Sequence, residues 1–343
     1  MFNASLTAMF RIYFGLLISS TLFISSCLNT DESPSGQHTS DTDTQPIEAA
    51  LLNFDEALAY NYIDTQVAFG PRKPGSRGHR ECALWLVNTL SELSDTAYVQ
   101  EFDAITFDAK RHKGKNIIGK LNPKNPNRIL LCAHWDTRPM ADQDTKAPHL
   151  PILGANDAGS GVGVILAILK SLKEKPISLG IDIVFFDLED YGQPQNSGLP
   201  PMKDDWCLGS QYWSKNTKHN TLPRWGILLD MVGGKDATFL KEKTSVTYAA
   251  NLVNRVWGHA QSLGYSHHFL SEPMGAITDD HLYINTIAEI PTIDIIHYKL
   301  NNGGFADYWH THLDNMQSLD NPTLKAVGKT LLYTIHEEDK YMQ

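Results

Sequence analysis

The sequence predicts an α/β protein: a single-domain three-layer sandwich in which a twisted, mixed but mostly parallel sheet carries helices on both faces. Two observations predict it. Short apolar runs with β-strand character alternate along the chain with longer segments of helical character, which is typical of a parallel sheet covered by helices. Several of the apolar runs also end in Asp, Glu or His, and ligands bind beyond the carboxyl ends of strands in open α/β sheets.

The composition limits the number of domains and the kinds of partner. The chain has 343 residues, of which 42% are hydrophobic, and a formal net charge of −10 at pH 7. Its first 46 residues do not resemble a packed domain, and the remainder has the size of one large α/β domain. No basic cluster indicates a nucleic-acid partner, and we expect a monomer.

The N-terminal residues predict a lipoprotein signal peptide over residues 1–26. Arg11 precedes an apolar run over residues 12–24, which is too short for a comfortable membrane span. Ser25 and Ser26 stand directly before Cys27, and this triplet resembles a bacterial lipobox. The resemblance implies lipidation of Cys27 and a place in the bacterial cell envelope, on the periplasmic or cell-surface side. An ordinary signal peptide with an incidental cysteine is the alternative.

Residues 27–46 predict a flexible tether. They are polar and acidic with almost no apolar side chains, so they cannot bury enough surface to order themselves. A tether between a lipid and a folded domain is the natural use of such a segment. We therefore expect membrane contact through the N-terminal lipid alone, and a folded domain over residues 47–343.

The first half of that domain shows helical periodicity followed by strand-like runs. Apolar residues spaced near 3.6 predict a helix over residues 49–68, and the Gly- and Pro-rich residues 70–75 end it. A second helix is predicted over residues 78–93. The predicted strands are residues 97–107, 115–121 and 128–133, with an Asn- and Pro-rich turn at residues 122–127.

The second half begins with a mostly apolar helix over residues 159–172 that starts on glycines. It lacks the spacing and the lysine of a phosphate-binding loop, so we interpret the glycines as tight packing of a helix beside a strand. Residues 193–205, rich in Pro, Gly and polar side chains, predict a loop. The remaining elements are strands over residues 181–186, 226–229 and 291–298 and helices over residues 249–263 and 324–338.

Acidic and histidine residues follow the apolar runs and are the candidates for chemistry. Two carboxylates and one imidazole form a ligand set for catalytic zinc, which keeps its fourth position open. Taken singly, these residues also have structural interpretations. Asp157 could be the N-cap of the glycine-rich helix, and His134 could be a hydrogen-bond partner of Asp136. The residues in question are His134, Asp157, Glu189, Asp190, Asp230 and His310.

Glu189 and Asp190 are adjacent acids at the end of a predicted strand. Neighbouring side chains on extended backbone point in opposite directions, so one acid can bind a metal while the other faces a substrate. A solvated acidic loop is the alternative, since Asp and Glu are commonly exposed.

Three cysteines remain apart from Cys27, so at most one disulfide can form within the chain. Their spacing matches no zinc-finger pattern. We interpret all three as structural, because a buried free cysteine behaves as a small hydrophobic residue. They are Cys82, Cys132 and Cys207.

Five motifs in order resemble the zinc aminopeptidase superfamily and, within it, the animal-type glutaminyl cyclases with their bacterial relatives. They are His134-Trp-Asp, Gly-Ala-Asn-Asp-Ala-Gly-Ser-Gly at residues 154–161, Phe-Phe-Asp-Leu-Glu-Asp at residues 185–190, Leu-Leu-Asp-Met-Val-Gly at residues 228–233, and Trp309-His-Thr. The resemblance covers roughly residues 49–338 and implies a zinc-dependent catalytic domain of zinc aminopeptidase-like fold.

In a glutaminyl cyclase, the resemblance implies that Asp157, Asp190 and His310 bind one zinc ion and that Glu189 is the general acid and base. Asp230 and Asp279 would form a carboxylate relay behind Glu189. The substrate would be a peptide or protein with N-terminal glutamine, converted to pyroglutamate with release of ammonia. The aromatic residues Trp309, Phe305, Trp206 and Tyr191 would line its pocket.

Two departures from the animal cyclases stand in the sequence. Asp190 occupies a position where those enzymes have Glu, and because Asp is one methylene shorter, its strand end must lie closer to the metal. The cysteine pair near their first motif is also not reproduced, since only Cys132 lies there.

Two alternatives stand beside the cyclase. In a two-zinc aminopeptidase of the same superfamily, His134 and Asp230 would bind a second zinc, Asp157 would bridge both ions, and Glu189 would activate water. Trp309 beside His310 and the Asp-Asp-His segment at residues 279–281 favour the cyclase. A non-catalytic binding lipoprotein is disfavoured, because the candidate base and ligands are all present.

Overall fold

A six-stranded mixed sheet lies at the centre of the computed structural model, which describes residues 52–194, 197–217, 222–301 and 303–341. The strand order is β1-β2-β4-β3-β5-β8, and β4, β3, β5 and β8 run parallel to one another. The pairs β1–β2 and β2–β4 are antiparallel. The strands of this sheet are β1 (Thr96–Ile105), β2 (Arg111–Leu121), β3 (Arg128–His134), β4 (Gly180–Phe186), β5 (Gly226–Asp230) and β8 (Thr292–Ile296).

Helices cover both faces of the sheet. The helices are α1 (Glu56–Ala68), α2 (Arg77–Leu93), α3 (Gly159–Glu174), α4 (Leu208–Asn216), α5 (Lys243–Ser262), α6 (Asp280–Tyr283) and α7 (Asn321–Lys340). The larger core lies under α1, α2, α3, α5 and α7, and the smaller one lies between the other face and α4. Alternate residues of β3 belong to opposite cores: Leu131 to the larger and Leu130 to the smaller. The predicted three-layer arrangement is confirmed.

The strands buried on both faces were the easiest to predict. Every residue of β3, β4 and β5 is buried, as expected for continuous apolar runs in a parallel sheet. The elements missing from the prediction are short or lie in polar sequence. They are α4, α6, a π-helical turn (Ile284–Ala288), a 3-10 turn (Met316–Ser318) and a separate parallel pair of strands, β6 (Phe239–Lys241) and β7 (Phe269–Pro273).

Two helix starts differ from the prediction because of capping side chains. The helix predicted from residue 49 begins at Glu56, since the Asp55 carboxylate accepts a hydrogen bond from Leu58 N at 2.8 Å. The helix predicted from residue 249 begins at Lys243, capped by Glu242. Ala249 lies at a kink inside this helix, with φ −143° and ψ 43°.

The glycine-rich start of α3 packs directly on the sheet, as predicted. A Cβ atom on Gly161 would lie 2.2 Å from the carbonyl oxygen of Leu229 in β5 and 3.0 Å from Cβ of Ala133 in β3. Only glycine allows this approach. The close contact fixes the turn that precedes α3, and that turn carries Asp157.

Among residues 52–341, apart from the short gaps given above, no helix has the length and apolar character needed to cross a bilayer. The predicted signal peptide, tether and Cys27 lie outside the described residues.

Candidate active site and metal centre

Chemistry-bearing residues meet at the carboxyl end of the parallel strands. His134 is the last residue of β3 and Asp230 the last of β5, while Glu189 and Asp190 follow β4. Because β3 pairs in parallel with both β4 and β5, all these side chains leave the sheet at the same edge. The turn before α3 adds Asp157 to the group.

The predicted zinc ligands form one buried cluster. The Nε2 atom of His310 lies 3.2 Å from Oδ1 of Asp190 and 3.7 Å from Oδ2 of Asp157. Tetrahedral zinc with ligand bonds of about 2.0–2.2 Å holds its ligand atoms roughly 3.3–3.5 Å apart. The three side chains are therefore placed to bind one ion of this size.

The electrostatics of the cluster also fit a cation. Oδ2 of the buried Asp190 has no hydrogen-bond partner, and Oδ1 has only the His310 ring at 3.2 Å and Arg138 at 3.8 Å, which leaves a buried charge poorly satisfied. The cavity beside it carries many carboxylates, and no Lys or Arg is among the described residues that line it. The lining carboxylates are Asp142, Asp157, Glu189, Asp190, Asp230 and Asp279. A divalent cation would offset this excess of negative charge.

A second buried cluster shares Asp157 with the first. The Nε2 atom of His134 lies 3.0 Å from Oδ1 of Asp157 and 3.3 Å from Oδ1 of Asp230. Burial and the nearby Asp157 charge raise the pKa of Asp230 to about 8. The geometry thus provides for the second ion of the aminopeptidase alternative as well as for the first. Asp157 does not cap α3, whose N-cap is Ala158 and has no side-chain cap bond.

Glu189 lines the same cavity as the two ligand clusters but is a member of neither. Its Oε1 atom accepts a hydrogen bond from the Cys207 thiol at 3.1 Å, and its Oε2 atom lies 3.9 Å from Nδ1 of His134. Burial, followed by the charges of Asp190 and Asp279, raises its pKa well above the usual value, although His134 opposes this. Glu189 and Asp190 therefore face different partners, although they follow a left-handed Leu188 and do not lie on the extended backbone that the prediction assumed.

The predicted relay of Asp230 and Asp279 behind Glu189 stays a prediction. Asp230 Oδ1 lies 3.3 Å from Nε2 of His134, and Asp279 Oδ1 accepts a hydrogen bond from the amide of Asp280. Both residues line the same cavity as Glu189. The charge of Asp279 helps to raise the pKa of both Glu189 and Asp230.

Three aromatic side chains enclose a cavity of about 180 Å³ in front of the first cluster. Trp309 stacks on the His310 ring with centroids 3.7 Å apart, and Phe305 lies 4.7 Å from Trp309. Trp206 lies parallel to the His310 ring at 6.2 Å. The cavity is smaller than the roughly 300–1,000 Å³ of pockets for drug-sized ligands, so it suits one side chain.

Tyr191 does not belong to this wall, contrary to the prediction. Its ring is buried with Phe102 and Leu188, and its hydroxyl donates to Asp108 at 3.4 Å. Cys207 also differs from its predicted role, because its thiol reaches Glu189. All three cysteines of the described residues are free and buried.

Arg138 and Asp142 contact the candidate site, although the sequence did not single them out. The buried Arg138 guanidinium donates two hydrogen bonds to Asp142, at 2.9 and 3.1 Å, and lies 4.5 Å above the Trp206 ring. Asp142 Oδ1 lies 3.1 Å from Nδ1 of His310. A carboxylate on the far nitrogen of a ligating histidine fixes the ring orientation.

Replacing Asp142 with asparagine should weaken zinc binding about 10–100-fold, which is the typical effect of losing such a partner. Zinc affinity would be measured by competition with a chelator. Asp144→Asn is the matched control, because Asp144 contacts His312 at 2.8 Å in the same way, and His312 belongs to neither cluster. Equal affinities of the two variants would refute the role of Asp142.

Two further buried carboxylates hold the backbone of the site. Asp136 accepts hydrogen bonds from the amides of Glu189 and Asp190 at 3.1 and 3.3 Å. Asp314 accepts them from the amides of Asn156 and Asp157 at 2.8 and 3.1 Å. Asp136 could have been found from the sequence, because it follows the end of β3 closely. The sequence around Asp314 has no pattern that indicates its role.

The backbone around the site adopts a left-handed conformation at several residues that are not glycine. One of them is His310, with φ 54°. Each of the other three is the sequence neighbour of a site residue: Glu189, Trp206 or Asp230. They are Leu188 with φ 59°, Cys207 with φ 58° and Met231 with φ 50°.

The model of peptidase family M28 matches residues 116–335. The Tannerella forsythia glutaminyl cyclase structure is 46% identical, with a TM-score of 0.81 over 83% of this chain and 99% of that one. A leucine aminopeptidase precursor from Bacteroides thetaiotaomicron is also 46% identical, with a TM-score of 0.80 over 83% and 97%. The resemblance to this superfamily is thereby confirmed.

Curated relatives are more distant. The Drosophila melanogaster glutaminyl-peptide cyclotransferase is 27% identical over 74% of this chain and 73% of its own length. The aminopeptidase YwaD of Bacillus subtilis is 26% identical over 66% of this chain, which spans only 45% of that protein. The relatives thus include proteins named for cyclisation and proteins named for peptide hydrolysis.

Proposed function

Since this chain belongs to peptidase family M28, we propose that it is a zinc-dependent glutaminyl-peptide cyclotransferase. It converts the N-terminal glutamine of peptides or proteins to pyroglutamate and releases ammonia. One observation carries the proposal: a cavity sized for one side chain, with Trp309 stacked on His310 at 3.7 Å, lies between the candidate zinc ligands and Glu189. The likeness to bacterial glutaminyl cyclases supports it.

The reaction is an internal transfer that needs no water. The α-amine nitrogen of the substrate attacks its own side-chain amide carbon, a new C–N bond forms, and the bond from that carbon to the amide nitrogen breaks. Asp157, Asp190 and His310 would hold the zinc. When bound, zinc would polarise the amide oxygen as a Lewis acid. Trp309, Phe305 and Trp206 orient the side chain and exclude solvent.

Glu189 moves the proton in this scheme. It takes a proton from the attacking amine and returns it to the departing nitrogen, so that ammonia leaves and the carboxylate is restored. A base that works near neutral pH needs a carboxyl pKa raised by burial or by neighbouring charges. Burial and the charges of Asp190 and Asp279 raise the pKa of Glu189 in this way.

A two-zinc aminopeptidase is the second candidate, because His134, Asp157 and Asp230 also converge. The three side chains would hold a second ion, and Glu189 would take a proton from water. The similarity to a structure named as a leucine aminopeptidase precursor also supports this second candidate.

Two measurements on the purified domain separate the candidates. Ammonia release would be measured with Gln-peptides, and p-nitroaniline release with Leu-p-nitroanilide. The cyclase should act on the first only and contain about one zinc per chain, whereas the peptidase should act on the second and contain about two. Hydrolysis of Leu-p-nitroanilide without ammonia release would overturn the proposal.

We also propose a lipid anchor at Cys27 that holds the enzyme in the bacterial cell envelope, outside the cytoplasm. The lipobox-like triplet before Cys27 and the polar tether after it support this proposal. In cells, Cys27→Ser should move the protein from the membrane fraction to the soluble fraction. Unchanged membrane association of this variant would contradict lipidation.

A further inference from the structure

The thiol of Cys207 donates a hydrogen bond to the carboxylate of Glu189, the group that moves the proton in the proposed reaction. Its sulfur lies 3.1 Å from Glu189 Oε1, and both side chains are buried. Burial, followed by the charge of Glu189, raises the pKa of the thiol well above its usual value. The thiol therefore stays protonated and donates, and a donor to a charged acceptor forms a stronger bond than a neutral pair.

The backbone fixes the thiol in this place. The amide of Cys207 donates to the carbonyl of Glu189 at 3.0 Å, and that of Leu208 donates to the carbonyl of Leu188 at 2.9 Å. The next residue brings α4 against the end of β4, because a Cβ on Gly209 would lie 2.2 Å from the carbonyl oxygen of Asp187. The start of α4 and the segment with Glu189 therefore form one rigid unit.

We propose that Cys207 is a positioning residue for the base: its S–H holds Oε1 of Glu189 and leaves Oε2 to exchange the proton. This inference rests on the proposed acid–base role of Glu189. A thiol is suited to the task because S–H is a weak donor. It orients the carboxylate, whereas a stronger donor would stabilise the charged form further and make the base weaker.

Two substitutions separate positioning from simple packing. Cys207→Ala removes the donor and should lower kcat about three- to tenfold, the usual range for one hydrogen bond, with KM and zinc content unchanged. Cys207→Ser restores a donor, but the hydroxyl is the stronger donor and weakens the base, so kcat should recover to within about twofold of the wild type and not fully. Valine is unsuitable, since a β-branched residue is disfavoured at φ 58°.

Cys82→Ala is the matched control, because Cys82 is an equally buried free cysteine on α2, where it packs into the larger core. It should lose stability without losing kcat. All assays would run well below the melting temperatures of the variants. The inference is overturned if Cys207→Ala keeps the wild-type kcat, or if Cys207→Ser falls as far as Cys207→Ala.

An infrared measurement adds a readout that does not depend on turnover. The S–H stretching band that disappears in Cys207→Ala should shift to higher frequency in Glu189→Gln, because a neutral amide oxygen accepts a weaker bond. An unshifted band would contradict the contact. A failure of the proposed function would be seen in the wild-type enzyme, which would release no ammonia from Gln-peptides. A failure of this inference would be seen in the ratio of the variant kcat to the wild-type kcat, and in the S–H band.

Discussion

Replacing Glu189 with glutamine should lower kcat for ammonia release from Gln-peptides by about 10²–10⁴-fold, the usual contribution of a general acid–base group. Glutamine keeps the shape of the side chain but cannot accept the amine proton. The zinc content should stay at the wild-type level, because Glu189 belongs neither to the Asp157–Asp190–His310 cluster nor to the His134–Asp157–Asp230 cluster. Metal analysis beside the steady-state assay tests both statements.

Glu338→Gln is the control for this substitution. Glu338 is also a buried carboxylate, but it lies on α7 and pairs with Arg224 and Arg255 outside the site. Its loss should change the melting temperature while leaving kcat unchanged. A Glu189→Gln enzyme that works within about tenfold of the wild type would rule out Glu189 as the base.

Replacing His310 with alanine should remove the zinc and the activity together. The loss in metal affinity should exceed about 100-fold, because removing a mere partner of a ligand already costs 10–100-fold. The zinc count also separates the two functions: a one-zinc enzyme falls from about one ion per chain to none, and a two-zinc enzyme from about two to one. Metal analysis after gel filtration is the measurement.

The conformation of His310 calls for a second variant. Its φ of 54° is left-handed, and Asn tolerates this region better than Ala. His310→Asn therefore tests the ligand with less disturbance of the backbone. His259→Ala is the control, since His259 lies on α5 and contacts Thr334 outside the site. Full zinc retention in both His310 variants would exclude His310 as a ligand.

The fold was predictable where hydrophobicity decides the structure. The strands β3, β4 and β5 are buried on both faces, so their apolar runs show directly in the sequence. Their carboxyl ends then locate His134, Glu189, Asp190 and Asp230 at one edge. The structure brings together the predicted ligands Asp157, Asp190 and His310, whose metal-binding role stays a prediction.

Contacts between loops were not predictable from local patterns. Asp142 lies in a polar segment, and its role depends on meeting Arg138 and His310, which is 168 residues further along the chain. Tyr191 was predicted to face the substrate pocket, but the chain turns at Leu188, where φ is 59°, and the ring enters a separate buried cluster. Helix starts depended on capping by single side chains such as Asp55.

The left-handed residues around the site have an energetic consequence for the whole molecule. A non-glycine residue in this conformation costs of order 1–3 kcal/mol, so Leu188, Cys207, Met231 and His310 together require about 4–12 kcal/mol. A typical domain has a net stability of only about 5–15 kcal/mol. The large core under the outer helices therefore offsets a backbone cost that the site adds to the folded state.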